Sequence, residues 1–166
     1  MKLNFDFEKI IGKVKPMHAV NNGPVGSSIR GTSNEELFKA AGIPYARTHD
    51  SALSPAYGGE FIVDVHRIFR DFDADVNDPK SYDFEWTDKY IERIQNTGCE
   101  TFYRLGASIE HRKKVGTYPP KDFKKWAEIC EHIILHYNEG WADGFHYGIE
   151  YWEIWNEPDT GYKQHN

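Results

Sequence analysis

The sequence is short of cysteine and methionine, with two of each in 166 residues. Cys99 and Cys130 cannot make a disulfide framework, and their spacing does not match a zinc site. No apolar run approaches the roughly 18–20 residues that a membrane-spanning helix needs, so no membrane partner is expected. Met1 to Pro16 interleaves charged and apolar residues without a continuous apolar core. No signal peptide is therefore read, and a cytoplasmic location is the expectation. Basic residues are the minority: 20 Lys and Arg against 26 Asp and Glu leave a net charge of −6. Nucleic acid is not an expected partner, because phosphate contacts need clustered Lys and Arg. What the chain has in quantity is aromatic residues, with 5 Trp, 10 Tyr and 10 Phe. Aromatic rings fill cores and also form stacking platforms for sugar rings, so composition alone does not choose between the two uses.

Hydrophobic periodicity predicts alternating strands and helices. Lys13 to Val20 reads as a first strand, followed by a turn-rich, Gly- and Ser-bearing loop from Asn21 to Gly31. Ser33 opens a helix, with Glu36 completing a capping box and Gly42 ending it. Ile43 to His49 is the second strand, with Tyr45, Arg47 and His49 on one face. Asp50 to Tyr82 is too long for a plain loop and too apolar for disorder, so it reads as a folded excursion. Trp86 to Asn96 carries a helical stripe, Glu100 to Leu105 is the third strand, and Asp122 to Glu139 is a helix stopped by Gly140. Ile149 to Trp155 is the fourth strand. This order implies an α/β fold with parallel strands joined by helical crossovers.

The chemistry concentrates where the fourth strand ends, in Trp152-Glu153-Ile154-Trp155-Asn156-Glu157-Pro158-Asp159. Parallel α/β folds place catalytic groups at the C-terminal ends of strands. A lone Glu would read as a solvated loop carboxylate, but here it follows a strand rich in Trp and Ile. A carboxyl held among indole rings is partly desolvated, which favours its protonated form and suits it to donate a proton to a leaving oxygen. Asn156 is placed to hydrogen-bond a substrate hydroxyl. Pro158 is expected to hold Glu157 in an extended conformation. Continued alternation would put Trp155 on the face of Glu157 as a stacking ring, with Trp152 packed under a helix.

This segment resembles the fourth-strand signature of the clan of retaining glycoside hydrolases built on (β/α)8 barrels. Arg47-Thr48-His49 and Thr101 to Gly106 are similar to the second and third strands of that clan, most of all family 39, the β-xylosidases and α-L-iduronidases. The likeness runs from His18 to Asp159. It implies that Glu157 is the general acid/base, that Arg47 supports a nucleophile carboxylate, and that His49, Asn156 and Trp155 meet a carbohydrate substrate. It implies no cofactor and no metal.

A barrel of this type needs eight strands and typically about 250 residues. Four strands in 166 residues correspond to roughly the first four β/α units of a partial TIM barrel, a single truncated domain over 1–166. The clan's nucleophile sits on a seventh strand, which has no counterpart here. Glu153 shares the fourth strand, but four extended residues would separate it from Glu157 by ~13 Å. Retaining chemistry wants carboxyls about 5–5.5 Å apart, so Glu153 is expected to face the lower interior. Asp50 is a weak substitute. The chain alone is thus expected to be inactive and to self-associate through its open edges. The alternative is a non-catalytic carbohydrate-binding or pseudo-enzyme fragment.

Three other patterns read as structural. Asp71, Asp73, Asp75 and Asn77 alternate like a calcium loop, but Val76 and Tyr82 occupy positions that need Gly and Glu. His132 and His136 lie one helical turn apart without a third ligand. The loop from Asn21 to Gly31 lacks the Gly-Lys-Ser/Thr ending of a phosphate loop.

Overall fold

A computed structural model describes residues 2–26, 33–49, 62–107 and 119–157 of the chain. The elements are β1 (Val20–Asn21), α1 (Glu35–Ala41), β2 (Tyr45–Arg47), α2 (Val65–Ile68), a 3₁₀ turn (Pro79–Ser81), α3 (Glu85–Asn96), β3 (Glu100–Leu105), α4 (Phe123–Asn138) and β4 (Tyr151–Ile154). The four strands form one parallel sheet in the order β1-β2-β3-β4. The fold is α/β, and every strand ends on the same edge of the sheet.

Local chemistry explains the best-formed elements. In α3, Thr87, Tyr90, Ile91 and Ile94 are buried at intervals of three and four, the apolar stripe of a half-buried helix. In α4 the stripe is Ile129, Cys130, Ile133, His136 and Tyr137. Asp122 caps α4 by accepting from the backbone N–H groups of Lys124 at 2.8 Å and Lys125 at 3.1 Å, which satisfies two of the donors that any helix start leaves open. The sheet presents Tyr103 and Trp152 to this layer: their rings stack 5.1 Å apart, and Tyr103 lies 5.7 Å from Tyr137 of α4.

Several boundaries differ from the sequence expectation. The first strand is confined to Val20–Asn21, because its partner β2 offers only three residues; Val14 and Met17, expected inside it, are exposed. The capping box at α1 does not form. Asn34 precedes that helix, and its Oδ1 accepts from the Val25 N–H at 2.7 Å. Leu37 is exposed and α1 buries no residue, so the helix packs on the core only through the half-buried Phe38. Gly42 does end α1, in a left-handed conformation with φ 58°.

The excursion after β2 is folded where it is described. Ile62, Val63, Val65, Ile68 and Phe69 are all buried. It is stitched to the body by hydrogen bonds from Thr87 Oγ1 to the Ile62 carbonyl at 2.5 Å and from Val65 N–H to the Gly106 carbonyl at 2.9 Å. Tyr57, Phe61 and Asp50 lie outside the described residues.

The core encloses several ionisable groups in their neutral form. Burial pushes the Cys130 thiol from its ordinary 9.0 up to about 12, and the Tyr147 phenol from 10.0 up to about 12. Burial also raises the phenols of Tyr82, Tyr103 and Tyr137. In the unfolded chain these groups lose protons at their ordinary values; in the folded chain they keep them. The stability this confers is complete below pH about 9 and is lost as pH rises towards 12. Circular dichroism across that range is expected to show cooperative alkaline unfolding. Cys130 is expected to react with a thiol reagent at pH 8 only as fast as the chain opens.

Candidate functional site

The end of the sheet gathers polar groups that are far apart in sequence. Register sets Asn21 of β1 beside Arg47 of β2, Arg47 beside Phe102 of β3, and Phe102 beside Tyr151 of β4. Tyr45, Phe102 and Tyr151 form an aromatic layer on one face: Tyr151 meets Tyr45 edge-on at 5.5 Å and stacks on Phe102 at 5.5 Å. One alternation step beyond that layer, Arg47 and Glu153 point the same way.

Arg47 is the hub. Its Nε donates to Glu153 Oε2 at 2.6 Å and its Nη2 to Glu153 Oε1 at 2.7 Å, a two-toothed pairing of guanidinium and carboxylate. Nη2 also donates to Asn156 Oδ1 at 2.8 Å, and Nη1 to Asn21 Oδ1 at 3.2 Å. The Arg47 and Glu153 side chains keep only 22% and 26% of their surface exposed. Glu153 therefore belongs to the site rather than to the lower interior. The expectation failed because spacing along β4 says nothing about a partner 106 residues away in sequence.

The predicted residues are only partly brought together. Arg47 and Asn156 touch. Asn156 is 5% exposed, and its buried Nδ2 has no hydrogen-bond partner among the described residues. His49 lies two residues beyond β2 and is half-buried; its N–H donates to the Arg47 carbonyl at 2.9 Å. The His49 carbonyl accepts from Arg104 Nε at 3.1 Å and Nη2 at 2.8 Å. Glu157 follows Asn156 at the rim and is exposed, not enclosed by indole rings.

The turn after β4 corrects two further expectations. The last rung is the bond from Trp155 N–H to the Leu105 carbonyl at 2.7 Å, and then the chain leaves the sheet. Trp155 has φ 67° and Glu157 φ 44°, so neither is extended. The pre-proline preference at Glu157 yields to this turn, and alternation stops at Ile154. The ~13 Å separation of Glu153 and Glu157 assumed a strand running through both and loses its basis. Trp155 lines a cavity of about 160 Å³ with His66, Phe69, Arg70 and Trp126, whose walls do not include Arg47, His49 or Asn156.

Sequence reasoning missed a second cluster beneath the rim. Arg104 and Asp64 are both fully buried and paired at 2.9 Å. The Arg104 N–H also donates to Thr48 Oγ1 at 3.0 Å. An arginine set among Phe102, Tyr103 and Leu105 was the available signal, because a buried guanidinium demands an acidic partner.

The acidic and histidine patterns have local partners. Asp71 and Asp75 each cap a turn through the N–H two residues on, at 3.0 and 2.9 Å. Among the described residues no group of three His, Cys, Asp or Glu is placed to hold a metal ion, and no helix is long and apolar enough to cross a membrane. His132 bonds the Glu128 carbonyl at 2.8 Å. His136 sits between Asp88 at 2.9 Å and the Trp141 carbonyl at 2.8 Å.

Comparison with known proteins adds an independent line. No family model matches the sequence. A curated protein, the "Beta-xylosidase" of Geobacillus stearothermophilus, is 26% identical over 106 residues, covering 55% of this chain and 20% of that protein. The likeness is to glycosidases. A solved structure, a glucosidase from Croceicoccus marinus, superposes with a TM-score of 0.72 at 23% identity, over 92% of this chain and 30% of that one. This second match is a likeness of fold. The chain thus spans a fifth of the curated relative and under a third of the solved one.

Gly106 makes the turn of Trp155 feasible. Its φ of 147° disfavours a side chain, and a Cβ there would sit 2.9 Å from Trp155 Cε3 and 3.2 Å from Trp155 Cα. Gly106→Ala is expected to destabilise the chain by about 1–3 kcal/mol. That corresponds to a fall of about 2–4 °C in melting midpoint per kcal/mol in calorimetry.

Proposed function

We propose that this chain forms four β/α units of a (β/α)8 barrel and carries the acid/base carboxylate, Glu157, of a retaining glycoside hydrolase of the family 39 kind. The observation that carries this reading is the bond from Arg47 to Asn156. It gathers the ends of β2 and β4 around one guanidinium, with Glu157 next in the chain. The name of the curated relative and the fold of the solved one support it, and a xyloside is the substrate class proposed for the test.

In this reading Glu157 donates its proton to the glycosidic oxygen as the bond to the anomeric carbon breaks. A nucleophile carboxylate outside these four strands takes the sugar. Glu157, now ionised, then removes a proton from the water that releases it. Exposure at the rim suits the second step, which needs water. Arg47, His49 and Asn156 orient the sugar, and the turn that redirects Trp155 gives it a place in the neighbouring cavity. A non-catalytic binding fragment remains the second reading, favoured by the bidentate engagement of Glu153: that carboxylate is committed to Arg47 and is not poised as a nucleophile.

In a polypeptide holding both carboxylates, Glu157→Ala is expected to slow hydrolysis of poor leaving groups by about 10²–10⁴, with much less effect on dinitrophenyl glycosides. Equal losses for both would refute the acid role. A second expectation concerns the edges. Tyr151 is 42% exposed and Ile154 60% exposed on the outermost strand, so the 166-residue chain should associate in size-exclusion chromatography with light scattering. A cooperative, folded monomer would speak against the partial barrel.

A further inference from the structure

Asn156 has two chemically opposite ends, and which end faces a ligand decides what that ligand must be. Its Oδ1 is 2.8 Å from Arg47 Nη2, a donor only, so the oxygen is the end held by the protein. The buried Nδ2, without a partner among the described residues, is therefore the end left for a ligand. A guanidinium on a long side chain would not by itself fix this. Arg47 has several rotamers, and alone it would swing towards water. Glu153 removes that freedom by binding Nε and Nη2 together at 2.6 and 2.7 Å. Two parallel bonds fix the plane of the guanidinium as well as its position. The remaining hydrogen of Nη2 then points in one direction, and Asn156 Oδ1 lies there.

We infer that Glu153 is a positioning residue: through Arg47 it fixes the amide of Asn156 so that the site presents an N–H donor, and it selects ligand groups that accept, such as a sugar hydroxyl oxygen. The carboxylate of Glu153 touches no substrate in this scheme. The inference rests on the glycosidase reading only for the identity of the ligand; the clasp itself stands on its own geometry.

Nuclear magnetic resonance of the 166-residue chain labelled with 15N tests it. The Arg47 Nε–H is expected as a slowly exchanging signal, and Arg47→Lys identifies it by removing it. In Glu153→Gln, which keeps the shape but loses the charge and one acceptor, exchange of this proton should accelerate roughly ten-fold or more. The side-chain NH2 signals of Asn156, identified by Asn156→Asp, should move in the same variant. Glu153→Asp, which keeps the charge on a shorter stem, should restore part of both effects. Unchanged Asn156 signals in Glu153→Gln would overturn the proposal. Should that variant unfold, Arg47→Lys decides: one ammonium cannot hold both teeth of Glu153 and Asn156, so the Asn156 signals must move, and if they stay the proposal falls. Methyl β-xyloside and methyl glucoside added at millimolar levels then probe the ligand separately. A shift of Asn156 in the wild type that Glu153→Gln abolishes supports selection of hydroxyl acceptors. A protected clasp that ignores both sugars overturns the hydroxyl selection while leaving the positioning role intact; the glycosidase reading is tested separately by Glu157→Ala in a polypeptide holding both carboxylates.

Discussion

One guanidinium holds the candidate site together. Arg47 reaches across β3 to bind Glu153 of β4, takes Asn156 beyond it, and returns to Asn21 of β1. Those groups come from strands that meet only through the register of a parallel sheet, so the site exists only in the folded chain. The pair is three-quarters buried on both sides. At that depth the attraction is strengthened, but so is the loss of hydration, and an apolar pair of similar volume would serve stability nearly as well. What an apolar pair would not supply is direction. The fork of Arg47 has fixed angles, and the polarity of Asn156 follows from them.

Beneath this clasp a second arginine anchors the rim from inside. Arg104 is wholly buried, paired with Asp64, and holds the His49 carbonyl with two of its nitrogens. Asp64 belongs to the excursion that follows β2, so this ion pair joins an inserted segment to the third strand. The Tyr103 hydroxyl adds a bond to the Val63 carbonyl at 3.4 Å, and Gly106 receives the N–H of Val65. His49, two residues beyond β2, is thereby held through its backbone carbonyl.

What could be read in advance depended on whether information was local. β3 was legible to the residue, and α3 and α4 nearly so, because a strand inside a sheet and a helix on a core impose periods of two and 3.6 on their own sequences. The first strand was not, since its length is set by β2 and not by residues 13–19. The motif at the fourth strand and the arginine of the second were both legible, and Arg47 and Asn156 do meet at the end of the sheet. The orientation of Trp155 and Glu157 was lost because alternation was carried past the last rung, into a turn with positive φ. Glu153 and Asp64 were lost for a different reason: each matters through an arginine far away in sequence, and spacing carries no trace of that.

The outer strand shows what the clasp does for the placement of the residues that follow β4. Leu105 and Ile154 are register partners, yet Leu105 is fully buried and Ile154 is 60% exposed. Ile154 shares its face with Trp152, which packs against Tyr103, so β4 is covered at one level of the strand and bare at the next. A strand end supported by so little apolar packing would ordinarily fray, and fraying is opposed here by the hydrogen bonds to β3 and by Glu153 held from the opposite face. The residues that would do chemistry follow two and three positions after the last paired one. Their placement is therefore governed less by the hydrophobic core than by an ionic bond reaching outward from an inner strand. A site built this way keeps its geometry while Tyr151 and Ile154 of its outer strand stay open to solvent.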